Sequence, residues 1–370
     1  MAASLDASTT AVTGALTASV LAGALMAIPV GRWLDRHGGR ALMTAGSITA
    51  TALLIAWSQV HTIGQLYAVM IGIGITGAMV LYEPAFAVIV AWFTPDRRPT
   101  ALLAVTVVAG FASTIFMPLT GLLVAHLGWR GALLTLAAIH GTVTIPLHAL
   151  TIRTPPHVTA PTPAAPPVHA PRQAAARAAM RDRRFWILAA ALIAHGAATG
   201  TIGIHLVGYL TSRGHPAIFA ATTAGLLGVL SVTGRLVLTS ARRRLPVTTI
   251  VATVFAIQGA AVLAMPLIAG SRAGAVITVT GFGLGIASLA TPALLADRYG
   301  TTAYATIAGR LTAPVTTAKA AAPVLAATLL SHGDYHLLLA AVTTACLLAA
   351  VAMRSVGSGS DWDEHDEEPG

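Results

Sequence analysis

Four side chains that carry a full charge at neutral pH in water stand inside long apolar runs: Glu83, Arg235, Arg310 and Lys319. An ion in a dry apolar interior costs about 2.5–3.5 kcal/mol or more, so one that is kept there is a candidate for function. Arg235 lies in Gly-Arg-Leu, about one turn short of the end of its run, and Lys319 lies in Thr-Ala-Lys-Ala, nearer the middle of its own. Each has a plainer reading, Arg235 as a structural arginine snorkelling to the near face and Lys319 as a surface lysine snorkelling the other way. Arg310, closer to the start of its run, reads as structural. Glu83 stands in Tyr82-Glu83-Pro84. Pro84 removes a backbone donor and loosens a helix there, and an apolar setting disfavours a charged carboxylate. Glu83 is therefore a candidate to carry a proton, to pair with Arg235 or Lys319, or to cap a freed carbonyl as a neutral acid. His195 and His205 share one run and read as core histidines bonded to neighbours, and Gln258 reads as a residue lining a cavity. No nucleophile–base pair, metal-ligand cluster or phosphate-cradling loop is legible, so neither an enzyme nor a cofactor or metal is expected. Gly281-Phe282-Gly283-Leu284-Gly285 is glycine-rich but lies inside an apolar run, where small residues serve helix packing.

The chain that must position these groups has 370 residues, 55% of them hydrophobic and 9% charged. A soluble domain carries about 25% charged residues. Uncharged runs able to cross about 30 Å of hydrocarbon recur at 10–30, 41–58, 63–93, 100–125, 131–152, 185–211, 216–240, 246–269, 274–296, 301–330 and 335–353. The expected fold is an all-α polytopic membrane protein with about eleven spans. A net charge of +9 does not point to nucleic acid, because the arginines lie in the loops. With residues 31–40 placed inside the cell and the spans alternating, the inner loops and tail receive sixteen of the 22 Lys and Arg, and the outer loops only Arg130, Arg213 and Arg272. That asymmetry sets the orientation and leaves the C-terminus cytoplasmic. The lone Cys346, in an apolar run, offers no disulfide, and the N-terminus lacks the basic region of a cleavable signal peptide. Residues 153–184 differ in kind. They start rich in proline and alanine, as an extended linker does. They end with Arg172, Arg177, Arg181, Arg183 and Arg184, expected as a basic helix on the anionic inner leaflet. The acidic tail at 355–370 is expected to be disordered.

Between the first two runs stands Gly31-Arg32-Trp33-Leu34-Asp35-Arg36-His37-Gly38-Gly39-Arg40. Two helices that leave and re-enter the bilayer here need a tight turn, which Gly31, Gly38 and Gly39 permit. The stretch resembles the G-x-L-x-D-R-x-G-R-[RK] loop motif of the major facilitator superfamily. Gly31, Asp35, Arg36, Gly38 and Arg40 match it; Trp33 and Gly39 depart. The resemblance implies two six-helix halves, each of nested inverted three-helix units, with a site at mid-bilayer between them. It also implies that the motif latches the outward-open state, with Asp35 near a helix N-terminus and Arg36 and Arg40 close to inner carbonyls and acids. The halves read as repeats: 117–128 aligns with 322–333 at an offset of about 205, and Pro84 with Pro292 at nearly the same offset. By that offset the run at 185–211 has its counterpart before residue 1, so the first of the usual twelve helices is expected to be missing, through a late start or a truncation. The expected domains are an N-terminal bundle at 1–152, a cytoplasmic linker at 153–184, a C-terminal six-helix bundle at 185–354 and the tail at 355–370.

Arg235 and Lys319 resemble the paired cations of the oxalate:formate antiporter branch, which also takes in the monocarboxylate transporters. Leu-Tyr-Glu-Pro at 81–84, Trp-Phe-Thr-Pro-Asp-Arg-Arg at 92–98 and Leu-Gly-Trp-Arg at 127–130 look like the same branch. The resemblance implies that Arg235, Lys319 and Tyr82 bind substrate. Two fixed cations would replace the hydration that a small carboxylate sheds on leaving water. The function implied is secondary active transport of a small organic anion across the cell's inner (plasma) membrane, with protons as a candidate co-substrate coupled through Glu83. The alternatives are proton-coupled efflux of a hydrophobic drug or metabolite, and a transport-inactive truncated scaffold or sensor. An in-frame apolar stretch of about 20 codons upstream of Met1 would favour transport.

Overall fold

Hydrocarbon offers no water to backbone amides, so a chain crossing it must satisfy them within each segment, and the apolar runs fold as helices. A computed structural model describes residues 5–153, 169–241, 244–284, 287–330 and 335–357. The helices are α1 (Thr9–His37), α2 (Gly39–Ser58), α3 (Ile63–Val80), α4 (Tyr82–Trp92), α5 (Arg98–Gly110), α6 (Ala112–Thr151), α7 (His169–Arg181), α8 (Arg183–Ser212), α9 (Ala217–Ala241), α10 (Val247–Ile268), α11 (Arg272–Phe282), α12 (Ala287–Tyr299), α13 (Tyr304–Leu330) and α14 (Tyr335–Gly357). Among the described residues there is no strand, and eight stretches are long and apolar enough to cross a membrane. The helices outnumber the apolar runs because some runs break. The third run divides into α3 and α4, and the ninth into α11 and α12. The fourth run is shared by α5 and the first part of α6, whose second part is the fifth.

The breaks have local causes. Pro84 has no amide to donate to the Val80 carbonyl and its ring crowds that carbonyl, so α3 ends at Val80 and Leu81 leaves the helix at φ −83°, ψ −147°. Inside α6 the chain reverses at Gly128, φ 66°, ψ 172°. The stretch expected as a ten-residue loop is corrected here. α1 stays helical through His37, and the turn is Gly38 alone, at φ 73°, ψ −179°. A positive φ is where glycine is needed; one such residue suffices, which frees Gly31 for another task.

The described residues divide into two compact units, one within Met1–Ala179 and Leu295–Thr317, the other within Met180–Leu294 and Ala318–Gly370. The first has a core of Ala15, Val60, Leu66, Val69 and Met70. The second is centred on Ile202, Leu206, Val262, Met265, Phe282 and Cys346. Outward-facing positions are apolar too: Ile218 is 83% exposed, Leu267 82% and Leu25 76%. In water, apolar surface on this scale is a liability; against lipid tails it is the favourable solution. The chain is a multi-pass membrane protein. The proline-rich part of the linker at 154–168, Arg242 and Arg243, and the tail from 358 onward lie outside the described residues.

Candidate functional site

Near the end of α1, Asp35 reaches the start of α13. Its Oδ1 accepts from the Ala305 amide at 3.0 Å and its Oδ2 from the Thr306 amide at 2.7 Å. The first amides of a helix have no partner within it, and they lie at its positive end, so a carboxylate there is doubly favoured. Glycines make the approach possible. A Cβ on Gly31, one turn before Asp35, would run into the Ala305 carbonyl and lie 3.2 Å from the Thr306 Cα; one on Gly309 would run into the Ala27 carbonyl. Gly31 thus serves a helix crossing rather than the turn. Arg36 and Arg40 are exposed, and among the described residues neither makes an ion pair with an acid. Trp33, at a position that departs from the motif, sets its ring 4.5 Å from that of His37.

Glu83 occupies the first turn of α4 and is half-buried. Its carboxylate is held by its own backbone amide and the Thr312 side chain of α13. Tyr82, also half-buried, rests its ring 5.3 Å from that of Phe86. Arg97 and Arg98 are neighbours in sequence but not in setting. Arg98 is 7% exposed, and its Nη2 donates to the Val90 and Phe93 carbonyls, both at 3.3 Å, closing the end of α4. Arg97 stays outside, 3.9 Å from Asp96. The Thr94 hydroxyl first, then the Asp96 backbone amide and the charge of Arg97, hold the Asp96 carboxyl below the usual carboxylate range.

Lys319 lies mid-way along α13 and is exposed. Its backbone packs on Gly200 of α8, where a Cβ would run into the Lys319 carbonyl and stand 3.2 Å from its Cγ. Its charge is within electrostatic reach of His195. His195 Nε2 is 2.9 Å from Gln258 Oε1, and its ring stacks at 4.0 Å on Phe255. Gln258 in turn donates through Nε2 to the carbonyls of Phe282 at 2.8 Å and Leu284 at 3.3 Å. With that amide donating, Oε1 can only accept, so His195 Nε2 carries the proton. Gln258 is 1% exposed, so the expectation that it lines a cavity is corrected: it satisfies carbonyls freed where α11 ends. His205 Nε2 lies 3.0 Å from the Pro323 carbonyl. Arg235 falls on α9, and its side chain lies outside the described residues. Arg310 lines a cavity with Arg32 and Asp35.

Two further histidines went unread. His148 Nδ1 is 2.7 Å from Ser47 Oγ, and His140 Nδ1 is 2.9 Å from Thr51 Oγ1, tying α2 to the second part of α6. Ser47 and Thr51 are one helical turn apart and the histidines about two, so matching periodicity was the available signal.

Residues 1–312 match the sequence profile of the Major Facilitator Superfamily. Over 113 residues, 30% of this chain, the sequence is 35% identical to monocarboxylate transporter 13 of Bos taurus, and the match spans about a quarter of that relative, 26%. The fold resembles that of the E. coli fucose:proton symporter FucP, with a TM-score of 0.71 at 14% identity over 93% of this chain and 89% of that one. It equally resembles the human organic anion transporter MFSD10 (TETRAN), with a TM-score of 0.70 at 17% identity over 93% of this chain and 83% of that one. At these identities the likeness is one of fold. The profile match covers most of the chain and the helical architecture agrees with it: this chain belongs to the Major Facilitator Superfamily.

Proposed function

We propose that the protein is a secondary active transporter of a small organic anion, with Lys319 and Arg235 as the cations that hold the carboxylate and Tyr82 as a further substrate-binding residue. The observation that carries this reading is Lys319, a cation in the middle of a membrane-crossing helix with no carboxylate partner among the described residues. A cation kept at that depth needs a counter-charge or water, and a transported carboxylate supplies the first. The local identity to a monocarboxylate transporter supports the same substrate class. Glu83, set between a hydroxyl and its own amide, is proposed as the proton-coupling group. Asp35 on the first turn of α13 is proposed as a latch whose release accompanies the change of access. The excess of arginine in alternate loops supports a cytoplasmic side for residues 31–40 and the C-terminus, and the plasma membrane is the proposed location.

Thermal unfolding of the purified protein against a panel of small mono- and dicarboxylates, neutral sugars and hydrophobic cations tests this. Carboxylates should stabilise the native chain. Losing one charge-assisted contact in Lys319→Ala should weaken that binding about 10- to 100-fold. Stabilisation by hydrophobic compounds alone would support efflux of a drug or metabolite instead.

A further inference from the structure

A cavity of about 340 Å³ beside the end of α1 is lined by Arg32 and Arg36 of α1, Arg172 and Arg177 of α7 and Arg310 of α13, with Asp35 as its acid. Both Asp35 oxygens accept from the Ala305 and Thr306 amides, and the same carboxylate feels the charge of Arg172, so one acid faces five arginines. Among the described residues none of the five arginines makes an ion pair with an acid. α7 buries Ala176 and Ala179, at 5% and 2% exposure, and from it Arg172, half-buried, and Arg177, exposed, line the cavity. Five like charges around one small space repel one another, and an anion between them would relieve that repulsion. Guanidinium forks match the oxygens of a phosphate bidentately, and arginine is the residue suited to that geometry.

We infer that this cavity is a binding site for a phosphate-type oxyanion that staples the linker helix α7 to α1 and α13. A second cavity, about 490 Å³, shares Asp35, Arg36 and Arg172 with the first. It also carries Arg40 and Arg153, with Val88, Val90, Trp92 and Ile152 as its apolar wall. Cations beside an apolar wall suit an anionic phospholipid, with the headgroup among the arginines and the start of its acyl chains along that wall. Free phosphate would use the arginine cavity alone. Oxyanion binding there does not depend on which solute is transported.

The test uses the full-length chain. In one arm it is reconstituted in phosphatidylcholine nanodiscs with increasing phosphatidylglycerol; in the other it is held in detergent with inorganic phosphate against chloride at matched ionic strength. The thermal unfolding midpoint is read in both. Phosphatidylglycerol should raise the midpoint saturably, and the Arg172→Gln/Arg177→Gln double variant should need about tenfold more for half the effect. Arg354→Gln, which removes an exposed charge elsewhere, should respond as the native chain does. Arg172→Lys/Arg177→Lys, keeping the charge and losing the fork, should fall between. The midpoint of each variant in phosphatidylcholine alone reports that it folds. Saturable stabilisation by inorganic phosphate as well assigns the site to the phosphate group itself; stabilisation by phosphatidylglycerol only assigns it to lipid. Equal responses of the native chain and the double glutamine variant, or no response of the native chain to either anion, would overturn the inference.

Discussion

Asp35 joins positions 270 residues apart with one carboxylate and two amides. A charge-assisted cap of this kind is worth about 0.5–2 kcal/mol. Asp35→Ala should lower stability by about that amount, seen as a fall in the unfolding midpoint, and Asp35→Asn, which keeps an acceptor but loses the charge, should lower it less. An unchanged midpoint in both would mean that the clamp contributes nothing. Glu83 has a different test. Glu83→Gln fixes the side chain in a form that resembles the protonated acid, so proton-driven accumulation should be lost while exchange of substrate for substrate across the membrane persists. Accumulation at the native level would remove Glu83 from the coupling role. That Asp35 would meet a helix N-terminus was legible from the motif. That the helix is α13 was not, because nothing local in the sequence encodes a contact at that separation. The same limit hid the inward turn of Arg98, which differs from Arg97 only in what the fold places above it.

At the scale of elements, α1 carries two glycines with separate duties. Gly31 lets α1 and α13 touch backbone to backbone, and Gly38 makes the reversal into α2. Gly31→Val should overpack that crossing and cost about 1–3 kcal/mol. Gly38→Ala has open space around it and should lose only the left-handed conformational advantage, about 1–2 kcal/mol. Equal losses, measured by denaturation of the two variants side by side, would contradict the division of labour. Gly38 and Gly128 make the same one-residue reversal, between α1 and α2 and within α6, as expected of paired units of one bundle. Hydropathy was enough to find the helices, and Pro84 marked the break between α3 and α4. The turns were read as too long, since glycine-rich composition says that a reversal is possible but not how few residues it takes. The linker helix was legible from its arginines and alanines, but not that its Arg172 and Arg177 share a cavity with Arg32, Arg36 and Arg310.

At the scale of the whole molecule, class and family were legible because bilayer thickness and the cost of buried charge act on every residue, and so leave their mark along the entire chain. Solute identity is set by a few side chains in a wet cleft and leaves no periodic trace. Lys319 and Arg235 are the points at which the anion account can be tested. The most direct measurement is uptake of labelled small carboxylates into proteoliposomes bearing the native chain or Lys319→Ala at equal incorporation. The account predicts saturable uptake by the native chain and a loss of about tenfold or more in the variant. Uptake of the same carboxylate by Lys319→Ala at the native rate and affinity would contradict it.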